Sequence, residues 1–251
     1  SNYTYSDGVG AQPYCVEQSD FNGDGYLDLV TANWNGGGIT VLTNDAHGNF
    51  VVATNIATGN NPDSVITGDF NDDNKADLAV ANWSSGTVTI LIGDGAGGFT
   101  LATNLPGFTN PFNLTTADFN HDGLLDLAVP SYNAARVTVL FGNGAGSFTN
   151  AVNYTVGSGP ETVRAGDLNG DGNPDLVVAN YNSSIFSVLM GSTNGTFTVT
   201  TNYATPSNPR YTTLADVNGD GKLDAITVNN PHYFSVAFGN GDGTFQPRTD
   251  Y

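Results

Sequence analysis

Hydrophobic and polar residues alternate along this chain in short runs, which is the pattern of half-buried β-strands. The clearest run extends from Thr87 to Ile92. Residues 65–70 and 77–83 form two strand-like runs before it, and residues 99–103 form another after a glycine-rich turn at 93–98. This part of the chain is therefore predicted to contain four strands, and no helix of useful length is predicted anywhere in the sequence.

The same frame returns at a fixed period. A D-x-N-x-D-G-x-x-D segment begins at Asp20 and begins again at Asp69, Asp118, Asp167 and Asp216, each 49 residues after the one before. A period of 40 to 50 residues with strand-like content indicates a propeller or a repeat array. Four strands per repeat, arranged radially, give a β-propeller. The prediction is an all-β fold in which residues 1–251 form a single propeller domain of five four-stranded blades.

The repeated segment has the donor spacing of a calcium loop. Positions 1, 3, 5 and 9 carry oxygen-bearing side chains, position 7 offers a backbone carbonyl, and calcium takes about six to eight oxygen ligands. Position 6 is glycine in four copies and Asn74 in the second, and both residue types tolerate the left-handed turn that a tight loop needs. It is not an EF-hand, because position 12 carries no Glu and strand-like residues follow. The predicted ligands of about five structural Ca²⁺ ions are Asp20, Asn22, Asp24, Tyr26, Asp28, Asp69, Asn71, Asp73, Lys75, Asp77, Asp118, Asn120, Asp122, Leu124, Asp126, Asp167, Asn169, Asp171, Asn173, Asp175, Asp216, Asn218, Asp220, Lys222 and Asp224.

The charge balance follows from these loops. Six Lys and Arg residues stand against 24 Asp and Glu, and the net charge is −18. Three aspartates in each of five loops account for most of that acidity. Such a surface argues against nucleic acid and anionic membranes as partners. No apolar run approaches about 18 residues, so no membrane insertion is expected. Loops without the Glu clamp suit roughly millimolar calcium, which favours a secreted or cell-surface location.

These loops, together with Phe-Gly-Asn-Gly-Ala-Gly-Ser-Phe at 141–148, resemble the FG-GAP/VCBS repeat over essentially the whole chain. That repeat builds the calcium-binding propeller of integrin α subunits and of many secreted bacterial and fungal proteins, some of them lectins. The resemblance implies metal loops at one end of the propeller and partner-binding loops at the other. Relatives most often have seven blades, so five repeats leave two alternatives: a closed five-bladed ring, or part of a longer array. Residues 245–251 are expected to form the last fourth strand.

Aromatic residues recur at the end predicted to bind partners. They follow either the second strand or a proline that precedes each metal loop, and the candidate ligand-binding residues are Trp34, Trp83, Tyr132, Tyr181, Tyr14, Phe112 and Tyr211. Exposed rings there could stack on sugars, and the alternative is that they pack between blades. Asn33, Asn82 and Asn180, which precede three of these rings, are expected to be turn or cap residues.

The predicted function is an extracellular, calcium-stabilised binding module for a glycan or an extracellular protein. The alternative is a structural unit of a surface fibre or adhesin, for which self-association is possible. A polysaccharide-active enzyme or its accessory domain is less favoured, because no Ser/His/Asp order or zinc-type spacing is present. The chain is therefore predicted not to be an enzyme.

Overall fold

The computed structural model describes residues 12–251, which form five four-stranded antiparallel sheets. In every sheet the strands follow one another in chain order. Blade 1 comprises β1 (Pro13–Ser19), β2 (Asp28–Asn33), β3 (Gly38–Asn44) and β4 (Phe50–Ala57). Blade 2 comprises β5 (Pro62–Gly68), β6 (Asp77–Asn82), β7 (Thr87–Gly93) and β8 (Phe99–Pro106).

The other three blades repeat this order. Blade 3 comprises β9 (Thr115–Ala117), β10 (Asp126–Ser131), β11 (Arg136–Gly142) and β12 (Phe148–Thr155). Blade 4 comprises β13 (Pro160–Gly166), β14 (Asp175–Asn180), β15 (Ile185–Gly191) and β16 (Phe197–Ala204). Blade 5 comprises β17 (Pro209–Ala215), β18 (Asp224–Asn229), β19 (Tyr233–Ala237) and β20 (Thr249–Asp250).

The predicted fold class, an all-β propeller of five four-stranded blades, is confirmed. The only helical elements in residues 12–251 are two single 3-10 turns, at Tyr132–Ala134 and Tyr181–Ser183. No helix in that range is long and apolar enough to span a membrane.

The chain divides into two compact units. The first holds blades 1 and 2 together with residues 142–148, and the second holds residues 112–141 and 149–251. The treatment of residues 1–251 as a single domain stays a prediction.

Each unit builds its core by packing the face of one blade against the next blade. In the first unit Val30 and Val41 of blade 1 form one buried cluster with Val65 and Val80 of blade 2. Every residue of β6 is buried, on both faces of the strand. This is why the Leu-Ala-Val-Ala run at 78–81 does not alternate as a half-exposed strand would.

The last fourth strand is shorter than predicted. Phe245 forms an isolated bridge with Gly239, and only Thr249 and Asp250 pair regularly with β19. Pro247 stands between them and has no backbone N–H to donate to a ladder, so regular pairing is interrupted there.

Candidate functional site

The five acidic loops connect the first and second strands of their blades and share one backbone conformation. In the first loop the carboxylate of Asp20 accepts the backbone N–H of Gly23 and of Gly25, both at 2.8 Å. Gly25 has φ of +85°, and Asn74 in the second loop has φ of +62°. Position 6 is therefore left-handed in both, as the sequence predicted, and its N–H reaches the position-1 aspartate in all five loops.

Positions 3 and 5 complete the exposed part of each loop. In blade 1 the amide oxygen of Asn22 accepts the N–H of Asp24 at 3.0 Å, and Asp24 Oδ1 accepts the N–H of Tyr26 at 2.9 Å. Asn22 Nδ2 also donates to Asp24 Oδ2 at 3.0 Å. The predicted ligands at positions 1, 3, 5 and 7 thus belong to one local hydrogen-bonded turn.

The aspartate at position 9 lies in a different environment. Asp77 is fully buried, and its two carboxylate oxygens accept the backbone N–H of Phe70 and of Gly93, each at 2.8 Å. The same two bonds recur at Asp28, Asp175 and Asp224, and the first of them also at Asp126. This carboxylate ties the start of the loop to the end of the third strand. That role was not predicted from the sequence, although a polar residue directly before a buried run was a signal for it.

The loop carboxylates differ in the direction of their pKa shifts. Burial raises the pKa of Asp77 and of Asp175, and the neighbouring carboxylates in each loop act in the same direction. The position-6 backbone N–H lowers the pKa of the half-buried Asp20 and of the exposed Asp216. A buried carboxylate close to two exposed ones creates a negative field that a bound cation would relieve.

The donor set is made of carboxylate, amide and carbonyl oxygens, which suits calcium better than zinc or copper. In residues 12–251, however, no three Asp, Glu, His or Cys side chains are grouped as a complete metal centre. The residues that would hold a calcium ion are those at positions 1, 3, 5, 7 and 9 of each loop. The residues fit a calcium ion, and the ion itself stays a prediction.

The acidic loops of blades 1, 2 and 4 also contact the glycine-rich turn of the following blade. Gly97 donates its N–H to the carbonyl of Phe21 at 2.8 Å, and Gly146 does the same to Phe70 at 2.9 Å. The rings of Phe21 and Phe99 meet edge to face at 5.5 Å, and those of Phe70 and Phe148 at 5.7 Å. The loop is thus part of the junction between two blades.

The candidate ligand-binding residues of the first unit form a chain of rings. Tyr14 stacks on Trp34 at 4.9 Å, and Trp34 meets Trp83 at 5.6 Å. Tyr14 is 59% exposed, and both tryptophans are half-buried. Because β2 and β6 each run from an acidic loop to one of these tryptophans, the rings lie at the opposite end of the strands from the loops.

The candidates of the second unit are more involved in contacts within the protein. Phe112 lies 6.0 Å from Tyr132, whose hydroxyl donates to Asn182 at 3.2 Å. The Arg210 guanidinium lies 5.5 Å from the centre of the Tyr181 ring and 3.9 Å from the buried Glu161 carboxylate. Tyr211 instead contacts Arg164, which lies over its ring and donates to its hydroxyl at 3.0 Å.

A model of the FG-GAP-like repeat matches residues 20–80, 69–129, 130–178 and 167–227, which together span most of the chain. The chain belongs to the FG-GAP-like repeat family. No curated protein matches it.

Solved structures share the fold of this FG-GAP protein at low identity. A lectin from Agrocybe aegerita, which recognises non-reducing terminal N-acetylglucosamine, is 18% identical with a TM-score of 0.64, and the match covers 95% of this chain and 66% of the lectin. A functionally unknown protein from Desulfotomaculum acetoxidans is 11% identical with a TM-score of 0.72, and the match covers 96% of this chain and 70% of that protein. A protein from Lactobacillus plantarum is 20% identical with a TM-score of 0.69, and the match covers 89% of this chain and 67% of that protein. This FG-GAP chain spans about two thirds of the length of these structures.

The FG-GAP blades also contain a polar chain, buried at its first two members, that was not predicted from the sequence. Asn82 Nδ2 donates to Thr89 Oγ1 at 2.8 Å, and that hydroxyl donates to Asn104 at 2.7 Å. Equivalent chains run from Asn33, Asn180 and Asn229 through Thr40, Ser187 and Ser235. Asn33, Asn82 and Asn180 therefore link three strands from a buried position, a role that was not predicted. They also lie at turns, as predicted, because Asn82 Oδ1 accepts the N–H of Gly59 at 2.9 Å and Asn180 is the N-cap residue of the 3-10 turn at Tyr181–Ser183. The 49-residue recurrence of their partners was the available signal.

Proposed function

We propose that this FG-GAP propeller is an extracellular binding module, not an enzyme, and that it recognises a glycan through the surface around Trp34 and Trp83. The observation that carries this proposal is the continuous row of rings from the exposed Tyr14 to Trp83. An extracellular protein is the alternative ligand, because Tyr and Trp are also enriched where proteins bind one another.

The chemistry of the row supports a sugar ligand. Half-buried indole rings offer a flat apolar face for the C–H side of a pyranose, while the surrounding residues hold the rings in place. Asn61 Nδ2 donates to the Trp34 carbonyl at 3.0 Å, and Asn110 Nδ2 donates to the Trp83 carbonyl at 3.2 Å. These bonds fix the backbone beneath both indoles, so little side-chain freedom would be lost on binding. The similar fold of a lectin that recognises N-acetylglucosamine is further support.

A glycan array in millimolar calcium tests this proposal. Binding to a defined sugar is expected, and Trp34→Ala should weaken it about tenfold or more, because a stacked aromatic contributes roughly 1–3 kcal/mol. Val51→Ala is the control, since Val51 is an exposed apolar residue of β4 in the same blade, outside both the acidic loop and the row of rings. Equal binding by wild type and Trp34→Ala would contradict the proposed site.

We further propose that one calcium ion stabilises each blade. The oxygen donors at positions 1, 3, 5 and 7, the buried carboxylate below them and the five-fold recurrence support this proposal. A bound ion would neutralise part of the repulsion within each loop and would stabilise the native state by mass action. Weak loops of this type would be filled only where calcium is near millimolar, which is the condition outside cells.

The melting temperature in calcium and after dialysis against EDTA tests the metal. Calcium is expected to raise it by several degrees or more, and magnesium at the same concentration should do less, because it demands tighter octahedral geometry. A melting temperature that is the same in calcium and EDTA would contradict structural calcium. Glycan binding measured in both conditions then shows whether the ligand surface depends on the ions.

A further inference from the structure

One arginine of the second unit carries a positive charge that no carboxylate of the described chain balances. Arg164 lies half-buried in β13 and forms no ion pair with any residue from 12 to 251. Arg210, in contrast, lies 3.9 Å from the Glu161 carboxylate. Taking a charge out of water is costly unless a counter-ion compensates for it. In a chain with a net charge of −18, an uncompensated guanidinium therefore indicates a place for an anion.

Three neighbouring groups hold this guanidinium in position. Nη1 of Arg164 donates to the carbonyl of Val163 at 2.9 Å and to the amide oxygen of Asn113. Nη2 donates to the hydroxyl of Tyr211 at 3.0 Å. These bonds use both N–H groups of Nη1 and one of Nη2, so the Nε–H and the second N–H of Nη2 stay available to a ligand.

The available donors fit a carboxylate. Nε and Nη2 lie along the same edge of the guanidinium, and parallel N–H groups on one edge can bind both oxygens of a carboxylate. Tyr211 is 46% exposed, and because its oxygen accepts from Arg164, its O–H can donate to the same anion. The site therefore offers a charged fork and a hydroxyl donor to one anionic group.

The charge of the whole chain limits the kind of anion. Its 24 Asp and Glu residues against six Lys and Arg repel a polyanion at long range. A single carboxylate on an otherwise neutral molecule avoids most of that repulsion. Arg164 also departs from the repeat, since Thr115 and Thr213 hold the equivalent places in the blades before and after it. A repeated structural role does not account for this arginine.

We propose that Arg164 and Tyr211 bind the carboxylate of an acidic sugar, of the uronic acid type. The fork of Arg164 and the O–H of Tyr211 hold the carboxylate, and the exposed part of the Tyr211 ring contacts the apolar side of the sugar. The site is formed by residues of the second unit alone. The inference rests on the proposed function in one respect, that this chain binds glycans, and it uses none of the residues in the row of rings around Trp34 and Trp83.

Titration with methyl glucuronide, followed by NMR shifts of the protein amides, tests this site. The methyl ester of the same glycoside is the matched neutral ligand, and it should bind about tenfold or more weakly because the charge-assisted pair is lost. Arg164→Gln should reduce glucuronide binding to the level of the ester and should leave ester binding unchanged. The control is Arg248→Gln, which removes the same charge from an arginine paired with Asp250 and should bind as wild type does.

Tyr211→Phe is the second variant, because it keeps the ring, removes the O–H and should weaken glucuronide binding severalfold even if Arg164→Gln fails to fold. A melting curve for each variant shows which are folded. Equal affinity of the wild type for glucuronide and its ester overturns the proposal. So does acetate that binds as tightly as glucuronide, because the sugar ring would then have no part in binding.

The same titration separates this site from the proposed function. Trp34→Ala should bind glucuronide as wild type does, because Trp34 belongs to the other unit. Glucuronide binding that persists while Trp34→Ala and wild type bind equally on the glycan array would contradict the row of rings alone. Array binding that depends on Trp34, without any preference for glucuronide over its ester, would contradict the Arg164 site alone.

Discussion

Asp73 and Asp77 lie four residues apart in the same loop, yet their surroundings differ. Asp73 is on the rim, where Lys75 pairs with it at 3.5 Å in solvent. Asp77 is fully buried between two backbone N–H donors. Although both aspartates are predicted calcium ligands, only the second also holds strands together. The two contributions can therefore be separated by substitution.

Asp77→Asn should lower the free energy of unfolding by about 2 kcal/mol in EDTA as well as in calcium, because an amide offers one acceptor oxygen where two N–H groups need one each. Asp73→Asn should weaken calcium binding and leave the stability in EDTA nearly unchanged. Urea unfolding in both conditions measures the difference. If both variants lost stability only in calcium, the structural role assigned to position 9 would be wrong.

Within blades 1, 2, 4 and 5 the strands are joined by this polar chain as well as by the backbone ladder. Thr89 is the central member in blade 2, because it accepts from Asn82 and donates to Asn104. Thr89→Val keeps the side-chain shape and removes both bonds. It should cost about 1–3 kcal/mol in the free energy of unfolding, the range for a buried polar group left without its partner. Thr100→Val, an exposed threonine of the same blade, is the control for β-propensity and should change little.

The glycine-rich turns give a pH dependence whose sign can be stated. The backbone N–H groups of Ala96 and Gly98 lower the pKa of Asp94 in the folded protein. A depressed folded-state pKa stabilises the protein above the unfolded value of about 4, and this contribution is lost as the pH falls through the folded value. Asp94→Asn, which copies Asn143 in blade 3, keeps an acceptor oxygen there and removes the charge.

Unfolding midpoints in urea at pH 6 and at pH 3 therefore test the turn. The loss of stability between these pH values should be smaller for Asp94→Asn than for wild type. An identical loss in both proteins would show that this carboxylate does not contribute to acid sensitivity.

The repeat period and the strand runs were readable from the sequence because each strand position recurs with the same chemistry five times. The left-handed position 6 was predictable for the same reason, since Gly or Asn always occupies it. The two roles of the position-9 aspartate were not, because the amide of Gly93 that binds it lies sixteen residues away.

At the scale of the whole molecule, the acidic loops and the blade junctions are coupled. Phe21 in the first loop accepts the N–H of Gly97 in the next blade, so loosening the loop should loosen this bond. In hydrogen exchange, the Gly97 amide is expected to exchange about tenfold faster in EDTA than in calcium, as local opening becomes easier. The Val80 amide, within a fully buried strand, serves as the internal reference. Equal acceleration at both amides would indicate global loss of stability rather than a local junction effect.

The contact between an acidic loop and the following glycine-rich turn, seen in blades 1, 2 and 4, also bears on how such a chain can grow by gene duplication. If a blade were duplicated from its first strand to its fourth, the phenylalanine in its acidic loop would pack against a phenylalanine of the next copy. The smallest segment that can be inserted or deleted without removing that packing partner is one full repeat, provided that another repeat follows it. This favours exact multiples of the repeat, and the unbroken 49-residue spacing from Asp20 to Asp216 is what such a history would leave.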